Sequence, residues 1–82
     1  MAYDKYTLSS LTNEDRVIIA SDVERDGIGI EVYQNDKMAV QIFRGDRDNT
    51  RTVQVFKETI SLEFMEECIK TFKKEIPWEF VE

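Results

Sequence analysis

Between Ile28 and Phe56, apolar and polar residues alternate in three segments, as in strands with one buried and one open face. The segments are Ile28-Gly29-Ile30-Glu31-Val32-Tyr33, Met38-Ala39-Val40-Gln41-Ile42-Phe43 and Thr52-Val53-Gln54-Val55-Phe56. Upstream, Val17-Ile18-Ile19-Ala20 is continuously apolar and largely β-branched, which predicts a strand covered on both faces. Asn35-Asp36 marks a hairpin. A two-residue turn there sets Val32 against Ala39 and Ile30 against Gln41, mixing apolar and polar residues on each face. A three-residue loop, Asn35-Asp36-Lys37, sets Val32 against Val40 and Ile30 against Ile42. Burial favours this second register, because a one-residue slip turns every side chain to the other face.

A polar connection, Arg44 to Arg51, leads to the last strand, where Ile42 is expected opposite Val53 and Gln41 opposite Gln54. Ile28, Ile30, Val32, Met38, Val40, Ile42, Val53 and Val55 then form one apolar face. A helix over 60–76 is predicted to cover it. Thr59 or Ser61 can cap its start, and Leu62, Met65, Ile69, Phe72 and Ile76 recur at spacings of three and four. Pro77 stops it. Trp78 and Phe80 follow in a short extended tail that is expected to dock.

The pattern predicts one α+β domain over 1–82, a β-β-β-β-α chain. Residues 1–15 form an N-terminal arm, 16–58 an antiparallel meander of about four strands, 60–76 the helix packed on one face, and 77–82 the docked tail. One helix covers one side of such a sheet. The other side carries Tyr33, Phe43 and Phe56 among Gln41, Gln54 and small residues. That makes it a candidate contact patch, since aromatic anchors dominate binding energetics. The arm and the tail are alternative covers for it.

Composition narrows the function classes. The chain has 82 residues, 41% of them hydrophobic, with nine aromatics, which suits one ordinary core rather than disorder. A single cysteine excludes an internal disulfide framework, and no apolar run approaches membrane-spanning length. A cytoplasmic protein is therefore expected. Eleven basic against seventeen acidic residues give a net charge of −6, which disfavours nucleic acid and favours basic partners.

Chemistry is sparse in the sequence. There is no histidine, no nucleophile elbow and no phosphate-binding Gly-rich loop. Asp22-x-Glu24-x-Asp26-Gly27 begins like a calcium loop, but Tyr33 stands where the bidentate glutamate belongs. Asp46-x-Asp48-x-Thr50 fails in the same way and is flanked by arginines. A solvated turn explains both. No metal, cofactor, catalytic residue or small-molecule substrate is assigned.

The size, acidity and sheet-plus-helix plan are similar to those of toxin-neutralising immunity proteins and small phage inhibitors, in plan and composition rather than in any motif. The expected function is a non-enzymatic, acidic protein-binding module that occludes a basic partner such as a nuclease toxin. Asp22, Glu24 and Asp26 would steer the encounter, and Tyr33, Phe43 and Phe56, with Gln41 and Gln54 between them, would form the contact. The alternative is a homodimeric structural or housekeeping domain joined through the aromatic face or an edge strand.

Overall fold

A computed structural model describes residues 15–24 and 26–81. Four strands, β1 (Asp15–Asp22), β2 (Gly27–Gln34), β3 (Lys37–Gly45) and β4 (Thr50–Val55), form one antiparallel sheet in the order β1-β2-β3-β4. One helix follows, α1 (Leu62–Glu75). This is the β-β-β-β-α plan expected from the alternation. Residues 1–14 of the expected N-terminal arm lie outside the described residues, and Asp15 belongs to β1 instead.

The register of the β2–β3 hairpin satisfies two demands at once. Val32 faces Val40 and Ile30 faces Ile42, as burial requires. The connection is nonetheless the two-residue turn, because Gln34 pairs with Lys37, and Asn35 and Asp36 both have positive φ (52° and 65°). A bulge at Ala39 absorbs the difference. It turns Ala39 into the core and places Met38 opposite Tyr33 on the other face, reversing the positions expected for both. In the other two pairings, Val17 faces Val32 and Ile19 faces Ile30, while Ile42 faces Val53 and Gln41 faces Gln54. Val17, Ile18, Ile19 and Ala20 are all buried, so β1 is covered on both faces.

Ser61 caps α1, its Oγ accepting the Phe64 amide at 3.1 Å. The helix lies over β2 and β3, and Cys68, Phe72 and Ile76 enter the core beside Ile30, Val32, Val40 and Ile42. Compared with the expected stripe, the buried face is rotated by about 40°, given 100° per residue. Cys68 sits near its centre, whereas Leu62 and Ile69 are exposed. Phe64 and Met65 pack at the margin of the core. Val53 and Val55 are on the helix-bearing face but stay half exposed, because α1 does not extend over β4.

The chain after α1 is held by a buried arginine. Arg44, 4% exposed, projects from β3 onto the helix-bearing face. Its Nε and Nη2 donate to the two carboxylate oxygens of Asp46 at 2.9 and 3.2 Å, and Nη1 donates to the Pro77 carbonyl at 2.7 Å. Asp46 also accepts the Val81 amide at 3.1 Å. Arg51, across from Arg44 on β4, lies 3.9 Å from the Trp78 ring centroid and 4.1 Å from that of Phe80, and donates twice to the Trp78 carbonyl. The tail therefore docks, as its aromatics predict, but on the helix-bearing face rather than over the opposite one.

Burial acts to raise the Asp46 carboxyl pKa, but the Val81 amide and the Arg44 guanidinium outweigh it and hold the group below its ordinary value of 3.8. A carboxyl with a depressed folded pKa stabilises the fold above its unfolded pKa, and that stability disappears as pH falls through the folded one. Asp46→Asn is expected to lower stability at pH 7 by roughly 2 kcal/mol. It should also flatten the acid limb of the stability–pH curve, measured by urea unfolding from neutral pH downwards.

Candidate functional site

On the face away from α1, the register collects Ile18 and Ala20 from β1, Gly27, Gly29, Glu31 and Tyr33 from β2, Gln41 and Phe43 from β3, and Thr52 and Gln54 from β4. Phe43 was expected to be an open anchor here. It is buried, only 6% exposed. The reason lies in β2. A Cβ on Gly27 would come within 2.7 Å of the Phe43 ring, so the missing side chain there leaves space for it, while a Cβ on Gly29, the cross-strand partner of Phe43, would meet the Ile42 carbonyl instead. A cavity of ≈ 50 Å³ beside it, lined by Ala20, Gly29, Glu31, Gln41 and Phe43, is far smaller than a small-molecule site.

The other candidate contact residues are dispersed. Tyr33 is half-buried, its hydroxyl donating to Glu31 Oε1 at 3.0 Å while the Arg16 guanidinium stands 5.1 Å from the ring centroid. Gln41 is half-buried and its partner Gln54 is exposed. Phe56 lies just beyond β4, half exposed, with its amide donated to the Ala39 carbonyl. The three aromatics therefore form no open patch.

The acidic candidates fare differently, because hairpin geometry brings two distant loops to one end of the sheet. In the β1–β2 turn the Asp26 amide donates to the Val23 carbonyl, and the Asp22 carboxylate accepts the Glu24 amide at 3.0 Å. Asp26 takes up a left-handed φ of 52°, which Asp tolerates better than most residues. The Asp26 carbonyl accepts the Asp46 amide at 2.8 Å, tying this turn to the β3–β4 loop. Glu24 and Asp26 are exposed and Asp22 is half-buried. A shallow groove of ≈ 280 Å³ runs between the two loops. Glu24, Arg47, Asp48, Thr50 and Thr52, all exposed, line it together with the buried Phe43 and Gly45. Glu24 and Phe43, assigned from unrelated parts of the sequence, thus border one depression.

Asp48 and Thr50 also line the groove and are absent from the expected contact residues. The signal available was length. The strands extend to Gly45 and begin again at Thr50, so the polar connection is a four-residue loop opposite the acidic turn.

Among the described residues, no group of three or more His, Cys, Asp or Glu is placed to hold a metal ion, and no helix is long and apolar enough to cross a membrane. The chain matches no family model, and no curated protein or solved structure is significantly similar to it.

These positions separate structural from surface aromatics. Phe43→Ala is expected to destabilise the fold by about 3–5 kcal/mol, whereas Phe56→Ala should cost less than about 1 kcal/mol. Denaturant titration of both variants distinguishes them.

Proposed function

We propose that this domain is a non-catalytic protein-binding module that uses the loop end of its sheet to engage and occlude a basic partner. The observation that carries the reading is the groove that Glu24 and Asp48, from two loops, line together with Phe43, Thr50 and Thr52. Acidic side chains around a depression steer a cationic partner during encounter, and a small, partly apolar lining gives a lysine or arginine stem something to lie against. Asp26 lies exposed on the same turn as Glu24, and among the described residues that line the groove Arg47 is the one cation. The net charge of −6 acts in the same direction at longer range. A nuclease-type toxin, whose cleft must be basic to hold phosphates, is the partner class that fits. A cytoplasmic setting suits a chain whose one cysteine is a buried core residue.

In this reading the contact shifts from the aromatic patch to the loop end, with Tyr33 and Phe56 outside it and Phe43 a buried lining residue rather than an anchor. Self-association is the second reading, and the exposed Val53, Val55, Leu62 and Ile69 on the opposite side of the molecule favour it.

The test is affinity capture with the wild-type chain and a Glu24→Lys/Asp48→Lys variant, followed by association kinetics with the captured protein. The expected partner is basic, its association slows as salt rises, and the variant associates about tenfold more slowly or worse. A captured partner that is neutral or acidic, or an unchanged rate for the variant, contradicts the proposal.

A further inference from the structure

The side of α1 turned toward β4 carries a second surface, independent of the groove on the opposite face. Trp78 locates it. Its ring lies 3.9 Å from the Arg51 guanidinium of β4 and 5.5 Å from Lys73 Nζ of α1, so the Lys73 flank of the helix faces the β4 side. Leu62, Glu66, Ile69 and Lys73 share that flank. At 100° per residue they fall in a stripe about 60° wide, and their 4-3-4 spacing is that of a helix-pairing seam. Leu62, Ile69, Trp78 and the nearby Val53 and Val55 are between 37% and 71% exposed. A shallow groove bordered by Glu66, Ile69, Lys70 and Lys73 follows the same flank.

The charges on this stripe decide its occupant. Glu66 lies three residues before Ile69 and Lys73 four residues after it. A second helix of the same sequence, laid antiparallel with the twofold axis between Ile69 and Lys70, sets Glu66 against Lys73 of the other copy, and Lys73 against its Glu66. The two Ile69 side chains meet near the axis, and each Leu62 falls beside the Pro77–Trp78 segment of the other copy. Lys70 stands near the axis in both copies, with Glu66 one turn before it to offset its charge. Every exposed apolar side chain on the stripe thus finds an apolar neighbour, and Glu66 and Lys73 each find an opposite charge. An isologous interface requires this kind of self-complementarity. The pairing also brings a second helix toward Val53 and Val55, which one helix alone leaves open.

We infer that the α1 flank of Leu62, Glu66, Ile69 and Lys73 is a homodimer interface, in which α1 pairs antiparallel with α1 of a second copy. The inference does not rest on the basic-partner reading, since the two surfaces lie on opposite faces of the sheet, and a dimer leaves the Glu24–Asp48 groove of each copy open.

Charge exchange tests it. The solution mass of the full chain is measured by light scattering or sedimentation, from micromolar to millimolar, for the wild type, Glu66→Lys, Lys73→Glu and the Glu66→Lys/Lys73→Glu double variant. Circular dichroism confirms that each is folded. The wild type is expected to form a dimer. Each single variant places like charges in both symmetric pairs and should weaken the dimer about tenfold. The double variant restores opposite charges, and dimerisation should return to near the wild-type level. A wild type that remains monomeric throughout overturns the inference. So does a dimer indifferent to the single exchanges, or one weakened by them and not rescued by the double.

Discussion

One α-helix is about 10 Å across, while neighbouring strands lie about 4.8 Å apart, so a single helix covers two strands of a sheet. Here α1 lies over β2 and β3, while Val17 and Ile19 of β1 are buried in the same core, so β4 is the strand left open on the helix-bearing face. The residues under α1, Ile30, Val32, Val40 and Ile42, are fully or almost fully buried. Val53 and Val55, on the same face but one strand further out, are not. Cys68 is fully buried near the centre of the inner helix face, which leaves Ile69 at the margin.

The helix is also fixed from its C-terminal end. Arg44 reaches from β3 to the Pro77 carbonyl, and Asp46 binds both Arg44 and the Val81 amide, so one buried ion pair anchors the chain just beyond the end of α1. Such a pair gains from its several hydrogen bonds, without which burying the guanidinium would be costly. Arg51 adds a second grip by lying against the rings of Trp78 and Phe80. Tail and helix end are thus held by strand residues on the helix-bearing face. This is why the tail does not cover the opposite one.

Much of this plan can be read from the sequence. Period-two alternation locates three strands, the β-branched run of Val17 to Ala20 locates the fourth, and apolar pairing gives the registers of Val32 with Val40 and Ile42 with Val53. The bulge at Ala39 escapes, because weighing one turn length against another leaves out an extra residue that satisfies both turn chemistry and burial. The helix face is misjudged because Leu62 and Ile69 are more apolar than Cys68 and pull the expected stripe toward themselves. Alternation assigns Phe43 to a face but says nothing of depth; Gly27 on the neighbouring strand is the available sign. Arg44 is the least legible, since its partner carbonyl lies 33 residues away at a helix end. Glu24 and Asp26 of the acidic turn are exposed while Asp22 is half-buried, and the turn's alignment with Asp48 appears only once hairpin lengths are fixed.

Coverage of two strands by one helix is tested most directly by comparing two cross-strand partners. Val40 and Val55 face one another on the same side of the sheet, and they differ in whether α1 lies above. Each is replaced by Ala, and the free energy of unfolding is measured by urea titration at low protein concentration. The account predicts that Val40→Ala costs about 2 kcal/mol or more and Val55→Ala less than about 1 kcal/mol. Equal losses would contradict it, for they would mean that β4 is buried as deeply as β3.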